Sequence, residues 1–318
     1  MRIVVDAMGG DNAPRAIIDG AVQAARILPH NIALVGPKTL VYEMLDEFCP
    51  DGIPHNIMIV GADEVIGCDE PPVRAIKSKP GSTIVTGLNI VKDGYGDVFV
   101  SAGSTGALLA GGLLVCGRIK GIERPAICSF YPAVSGRISL LADAGANAEC
   151  KPRNLYEFGL MGSIYMENVL GRENPSIALA NIGAEAEKGP SIVKKAYEML
   201  SESGLNFIGN IEARDIPAGK CDVIVADGFA GNIILKLSEG LVSQMMRMVG
   251  AAAPKELVAS IAARFDYSEY GGAPVLGVSK PLIKMHGASN AKAVKNAIMR
   301  AVSFVETDVI GIIQDHIR

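Results

Sequence analysis

Ile3-Val4-Val5-Asp6-Ala7-Met8-Gly9-Gly10-Asp11, directly after Met1 and Arg2, decides how the rest of the chain reads. A short β-branched run ends on a carboxylate, passes into a glycine-bearing turn, and meets an apolar period of helical spacing over 14–28. Strand, turn and helix in that order is the building unit of a parallel sheet. The unit recurs outward along the chain. Ile32-Ala33-Leu34-Val35, Ile57-Met58-Ile59-Val60, Val98-Phe99-Val100, Ile177-Ala178-Leu179-Ala180 and Val223-Ile224-Val225 are further short apolar runs. They are continuous rather than alternating, which predicts strands covered on both faces. Helices are expected at 38–48, 82–93, 104–117, 152–171, 190–204, 230–249 and 290–315. The expected fold class is α/β, a three-layer α/β/α sandwich with a mostly parallel sheet. Ala126-Ile127-Cys128 and Ile138-Ser139-Leu140-Leu141 flank a turn at Ser135-Gly136 and predict an antiparallel element within it. No linker, charge block or fixed-period repeat divides the chain, so one domain over 1–318 is expected.

Composition narrows the function classes. At 318 residues, 49% hydrophobic and 20% charged, the chain is too apolar for a disordered one and long enough for a large core. The apolar stretch Leu108–Gly117 stops at Arg118, short of the roughly 20 residues that span a bilayer. Asp6 interrupts the N-terminal apolar run, so no signal peptide and a cytoplasmic location are expected. Six cysteines without a C-x-x-C pair and four histidines without zinc-ligand spacing predict reduced thiols and no structural metal. A net charge of −4 argues against nucleic-acid partners, and the absence of Trp leaves few stacking platforms.

Four strand ends run into polar, glycine-bearing turns followed by helices. They are Asp6-Ala-Met-Gly-Gly-Asp11, Ser101-Ala-Gly-Ser-Thr-Gly106, Asn181-Ile-Gly-Ala-Glu-Ala-Glu-Lys-Gly189 and Asp227-Gly-Phe-Ala-Gly-Asn232. In a parallel sheet such turns lie on the carboxyl edge, where ligands bind. Glycines admit close backbone approach, and N–H groups at helix starts favour an anion. Ordinary strand-to-helix geometry explains any single turn. Four together, with uncharged donors and the cation Lys188, point to a phosphate-like anion. Lys188 also reads as a solvated loop lysine. Asp6, Asp11 and Asp227 suit helix capping or donor orientation better than metal binding. Cys116 and Cys128 lie in apolar runs and read as inert core. His286, before Gly287, fits a structural hydrogen bond or a catalytic role. Neither G-x-G-x-x-G after the first strand nor G-x-x-x-x-G-K-[ST] occurs, so nucleotide and nicotinamide sites have no support.

These residues carry a resemblance. Met1–Pro14, Val100–Ala107, Gly117–Pro125, Asp143-Ala-Gly-Ala-Asn147, Met161–Tyr165, Asn181–Gly183 with Lys188-Gly189, Asn210–Arg214, Asp227–Asn232, Asp266–Gly272 and His286–Lys292 follow in order along nearly the whole chain. Together they resemble the phosphate acyltransferases of bacterial phospholipid synthesis, which convert acyl-[acyl-carrier-protein] and phosphate into acyl phosphate. The resemblance implies an isocitrate/isopropylmalate-dehydrogenase-like fold, a homodimer, and neither a metal nor another cofactor. Position 104 departs from it, with Ser where the family usually has Asn. The segment between Val249 and Asp266 is similar to, but shorter than, the family's apolar hairpin for peripheral membrane contact. A helical hairpin lobe is accordingly expected at about 241–265.

The implied reaction is attack by a phosphate oxygen on the thioester carbonyl, with the carrier's thiolate leaving. It needs positioning and oxyanion stabilisation rather than a Ser or Cys nucleophile. On this reading Lys188 neutralises charge and Asn232 orients an oxygen. Gly9, Gly10, Asp11, Gly103, Ser104, Thr105, Gly106, Gly183, Gly189, Gly231 and His286 bind phosphate or acyl groups. The partners implied are acyl carrier protein, inorganic phosphate, a second copy of the chain, the membrane glycerol-3-phosphate acyltransferase and the inner membrane surface. Arg118-Lys120-Arg124 and Arg74-Lys77-Lys79 are the basic clusters able to meet an acidic carrier. The alternatives are a phosphotransacetylase-like enzyme using acyl-CoA, and a non-catalytic carrier-binding scaffold at the membrane.

Overall fold

The computed structural model describes residues 1–250 and 267–317, with 253, 254, 256, 258, 261, 263 and 265 between them. In chain order the elements are β1 (Arg2–Asp6), α1 (Arg15–Ala25), β2 (Asn31–Gly36), α2 (Lys38–Phe48), β3 (Ile57–Gly61), α3 (Pro72–Ser78) and α4 (Thr83–Lys92). Next come β4 (Val98–Ser101), α5 (Thr105–Gly111), continued by a π-helical turn at Gly112–Cys116, then β5 (Ala126–Ile127), β6 (Ser129–Pro132) and β7 (Ile138–Ala142). They are followed by α6 (Pro152–Leu170), β8 (Ile177–Asn181), α7 (Ser191–Ser201), β9 (Phe207–Glu212), β10 (Val223–Val225) and α8 (Gly228–Gly250). The last are β11 (Ala273–Leu276), β12 (Leu282–Lys284), α9 (Ala291–Glu306) and α10 (Val309–His316). The chain divides into two compact units, Met1–Lys120 with Tyr267–Gly311, and Gly121–Asp266 with Ile312–Arg318.

Within the first unit the strands lie in the order β3-β2-β1-β4-β12-β11. All neighbours are parallel except β11 and β12. Ile3, Val4 and Val5 are each 0% exposed, so consecutive residues pointing to opposite faces are both covered. Burying each such side chain contributes about 1.5–3 kcal/mol, which is why an unbroken apolar run is stable only with helices on both faces. Gly20 of α1 is one of those contacts. A Cβ there would lie 2.5 Å from the Ala291 carbonyl oxygen and from Val294 Cβ, so glycine lets α1 and α9 approach. The period over 290–315 breaks at Asp308, whose φ of 45° is left-handed. Asn290 caps the start of α9 by accepting from the Ala293 amide at 2.9 Å.

The second unit holds its own sheet, β6-β7-β10-β8-β9. It is parallel apart from the β6–β7 pair, an antiparallel element around Ser135-Gly136 whose first strand is Ser129–Pro132 rather than the expected Ala126–Cys128. Its core gathers Leu141, Ala178, Ile211, Ile216 and Ile224. The expected parallel strands all form, divided between two sheets. Four elements were not legible as runs. The edge strand β9 is half-exposed and contains Gly209 at a φ of 96°, α3 is seven residues long, and β11 and β12 are four and three residues long. Of the hairpin expected at 241–265, α8 accounts for residues to Gly250. Ala251, Ala252, Lys255, Leu257 and Arg264 lie outside the described residues. No helix among the described residues is long and apolar enough to cross a membrane.

Candidate active site

In the first unit β1, β4 and β12 run parallel, so their last residues, Asp6, Ser101 and Lys284, share one carboxyl edge. Asp6 is buried. Ser101 Oγ donates to Asp6 Oδ2 at 2.6 Å, the Met8 amide donates to Oδ1 at 3.1 Å, and the Gly103 amide donates to Ser101 Oγ at 3.0 Å. Burial pushes the Asp6 carboxyl above its ordinary value, and hydrogen bonds from Ser101, Thr83, Met8 and Gly9 pull partly back. A Cβ on Gly9 would lie 2.5 Å from both Asp6 Oδ2 and the Gly103 nitrogen, so only glycine lets the two turns touch. Gly10 has a φ of 99°, the left-handed region that favours glycine.

Asp11 and His286 come together through the backbone. The Asp11 amide donates to the Gly287 carbonyl at 2.7 Å, and Asn12 Nδ2 donates to the Ala288 carbonyl at 3.1 Å. His286 is exposed, and its Nδ1 accepts from the Ala288 amide at 3.1 Å. This is the structural hydrogen bond considered above. A neutral ring accepting there carries its proton on Nε2. Ser104 caps α5, its Oγ accepting from the Ala107 amide at 3.3 Å. Asn is also a strong cap, so the departure at 104 conserves the cap. Thr105 is exposed at the helix start. Packing is what keeps position 106 a glycine, because a Cβ on Gly106 would lie 2.6 Å from Pro72 Cγ of α3.

The second unit repeats the plan with different chemistry. β7, β10 and β8 are parallel neighbours, so the turns beginning at Asp143, Asp227 and Asn181 lie on one carboxyl edge. Asp143 is 0% exposed. Its carboxylate accepts from the amides of Ile127, Gly145, Ala146 and Asn147 and from Asn147 Nδ2, at 2.7–3.1 Å. Burial still pushes this carboxyl up, with the hydrogen bonds opposing it. The loop it organises packs on the start of α8. A Cβ on Gly228 would lie 2.7 Å from Asp143 Oδ2, and one on Gly231 would strike the Asp143 carbonyl. Asp227 caps α8 through the Ala230 amide at 2.7 Å.

Asn232 and Lys188 stand on this edge, and both are exposed. A Cβ placed on Gly145 would be 3.8 Å from Asn232 Oδ1, so the amide lies over the Asp143 loop. The stem of Lys188 lies over Gly183, with its Cγ 3.0 Å from a Cβ placed there. Asn181 Nδ2 donates to the Lys188 carbonyl at 3.1 Å, and Gly189, at a φ of 87°, turns the chain against Asn181. The structure thus gathers Gly9, Gly10, Asp11, Gly103, Ser104, Thr105, Gly106 and His286 in the first unit. It gathers Gly183, Lys188, Gly189, Gly231 and Asn232 in the second.

Sequence reasoning missed Asp143 and Lys284. Asp143 stands first in Asp143-Ala-Gly-Ala-Asn147, and the small residues after it were the available signal. Lys284, at the end of a three-residue strand, gave none. Among the described residues, no group of three or more His, Cys, Asp or Glu is placed to hold a metal ion. Burial pushes the Cys116 thiol up to about 11 and Cys128 well above its ordinary value, which suits core residues rather than nucleophiles. In the Arg74-Lys77-Lys79 cluster, Lys79 is held by Glu70 at 2.7 Å.

The family described as fatty acid synthesis protein matches residues 1–311. A phosphate acyltransferase of Alkaliphilus oremlandii is 49% identical, over 98% of this chain and 95% of that protein. One from Clostridioides difficile is 46% identical, over 98% and 94%, and one from Brevibacillus brevis is 44% identical, over 100% and 98%. Among solved structures, a phosphotransacetylase from Streptococcus pyogenes matches with a TM-score of 0.66 at 20% identity, over 96% of this chain and 94% of that one. The 4-hydroxythreonine-4-phosphate dehydrogenase from Klebsiella pneumoniae matches at 0.56 and 15% identity, over 96% and 99%. These structural likenesses carry the fold alone: the α/β architecture is one that phosphotransacetylases and a dehydrogenase share.

Proposed function

The chain belongs to this fatty acid synthesis protein family, and from that premise we propose that it is an acyltransferase moving a fatty acyl group from acyl-[acyl-carrier-protein] to inorganic phosphate. The observation that carries the reading is identity of 44–49% over nearly the full length to proteins named phosphate acyltransferase. A phosphate oxygen attacks the thioester carbonyl carbon, the tetrahedral oxyanion collapses, and the C–S bond breaks to release the carrier's thiolate with acyl phosphate as product. No acyl-enzyme intermediate is required. Cys116, Cys128, Cys150 and Cys221 all have thiols held protonated by burial, which suits direct attack.

In this reading Lys188 offsets the charge of phosphate and of the developing oxyanion, and Asn232 donates its amide to an oxygen. The turns of the first unit, Gly9–Asp11 and Gly103–Gly106 with His286, offer backbone N–H groups to phosphate. Gly183, Gly189 and Gly231 give Lys188 and Asn232 their backbone settings. The deciding assay mixes purified protein with long-chain acyl carrier protein and inorganic phosphate, and traps acyl phosphate as the hydroxamate. Failure to form it sinks the reading. Equal turnover with acyl-CoA transfers the assignment to a phosphotransacetylase-like donor, and binding of acyl carrier without turnover leaves a scaffold.

The partners follow from two surfaces. On α8 the residues Phe229, Ile233, Leu237, Leu241 and Met245 recur four apart and are 49–64% exposed, a stripe that suits a second copy of the chain. Near α3, Arg74 and Lys77 border a cavity of about 740 Å³ with Pro71, Pro72 and Val73, which suits an acidic carrier. Contact of the α8 end with the inner membrane surface would place the product near a membrane glycerol-3-phosphate acyltransferase. Leu237→Asp should convert dimer to monomer by light scattering. Met248→Asp with Val249→Asp should lower sedimentation with anionic vesicles if that end is the membrane contact.

A further inference from the structure

We infer that Lys284 is a positioning residue for phosphate in the first unit, holding the exits of β4 and β12 in the shape that receives the anion. The inference rests on the reading of the turns after those strands as phosphate-binding. Lys284 is only 8% exposed. Its Nζ donates to the carbonyl oxygen of Ala102 at 3.2 Å and to that of Met285. Beside it, the Met285 amide donates to the Ser101 carbonyl at 2.8 Å. Two successive carbonyls of the chain leaving β4 are therefore gripped by two successive residues leaving β12. The next amide, Gly103, donates to Ser101 Oγ, which itself donates to buried Asp6. Each residue from Ser101 to Gly103 is fixed by a polar contact before Ser104 starts α5.

An ammonium is an expensive way to tie strand ends. Burying it costs hydration, and an aliphatic side chain would fill the space more cheaply. What an aliphatic residue lacks is the grip on the Ala102 carbonyl and a positive charge directly beneath the turn. In a low-dielectric surrounding such a charge acts on a phosphate oxygen far more strongly than one in water. The register supports the placement. Lys284 pairs with Ser101 in the parallel direction and with Ala273 in the antiparallel one, so its strand sits between two others and its terminal side chain reaches along the edge rather than out to solvent.

The experiment titrates inorganic phosphate calorimetrically into the full-length wild type, Lys284→Met and Lys284→Gln, and measures steady-state constants for both substrates. Lys284→Met should bind phosphate roughly tenfold or more weakly and raise the phosphate KM by the same factor, while the acyl-carrier KM stays within about twofold. Lys284→Gln keeps an amide donor but no charge, and should fall between. Wild-type phosphate affinity in either folded variant overturns the role. So does an equal rise of both KM values, which marks general structural damage. If the Met variant does not fold, the Gln variant decides on the same readings. Absence of phosphate binding by the wild type would instead remove the phosphate reading of the turns, a failure distinct from unchanged affinity in the variants.

Discussion

Two carboxyl edges, one in each unit, are built on a common scheme and equipped differently. Each has a buried aspartate at the exit of a strand, Asp6 in the first unit and Asp143 in the second, and each aspartate organises glycine turns by accepting N–H groups. In the first unit Asp6 and Lys284 are buried below the turns, and Asp11, Thr105 and His286 are exposed side chains beside the backbone. In the second unit Asp143 is buried below the turns, and the cation Lys188 and the amide of Asn232 are exposed. Under the proposed function the two edges suit different tasks. A dense array of backbone donors suits a fixed anion, whereas flexible side-chain donors suit charge that shifts from phosphate to oxyanion as the reaction proceeds.

The sharpest way to break that comparison is to remove the second unit's exposed donors. Lys188→Ala should lower turnover by roughly 100-fold or more with circular dichroism unchanged, and Asn232→Ala should lower it by about 100- to 1000-fold, the usual loss for one oxyanion donor. Both side chains are exposed, so neither variant should lose much stability. Turnover near wild type in a folded Lys188→Ala protein would remove the division of roles.

The next effect is on folding. Asp143 accepts from four amides and one side-chain amide, and Asn in its place turns an NH₂ group against donors. Asp143→Asn should cost about 2–4 kcal/mol by urea unfolding, and Asp6→Asn, with fewer donors converging on it, about 1–2 kcal/mol. Equal losses at the two positions would deny that the second unit's loop is the more tightly organised.

How much of this was legible follows from the kind of signal each residue gives. Ile3-Val4-Val5 announced a strand covered on both faces because burial needs nothing but apolar neighbours, and the same holds for Val98-Phe99-Val100. The turns were visible through their glycines. Position in a turn does not reveal which role a glycine serves, and Gly106 proved to accommodate Pro72. Lys284 was hidden because a lysine ending a three-residue strand has no pattern that separates it from a solvated one; only the Ala102 and Met285 carbonyls make it distinct. The division of strands between two sheets was hidden too, since β10 reads the same whichever neighbour it pairs with.

A pH series sharpens the aspartate pair. Burial raises the folded-state carboxyl of Asp6 above its ordinary value of 3.8, so the fold prefers its protonated form. Its contribution to stability is full below that unfolded value and is lost as pH rises through the raised folded value. An Asn at position 6 does not titrate. The stability gap between wild type and Asp6→Asn should therefore widen as pH is lowered from about 7 toward about 4. A gap that narrows would mean that hydrogen bonds from Ser101, Thr83, Met8 and Gly9 outweigh burial.

The smallest effect uses thiols to read the two units without altering either fold. In the second unit, burial raises Cys150 and Cys221 to about 12 and Cys128 well above its ordinary value. At pH 8 a thiol of that kind is thiolate in only about one molecule in 10,000, and thiolate is the reacting species. Cys68, in the first unit, is exposed. A disulfide reagent at about pH 8 should therefore label native protein first at Cys68, and raising the pH to about 9 should leave Cys128, Cys150 and Cys221 unlabelled on the same timescale. Denaturant should release all six. Early labelling of Cys150, which lies beside the Asp143 loop with its Sγ 3.7 Å from the Asn147 carbonyl, would show that loop opening in the native state. That outcome would contradict a second edge held firm by Asp143, and would place the loop among the moving parts of the site rather than its foundation.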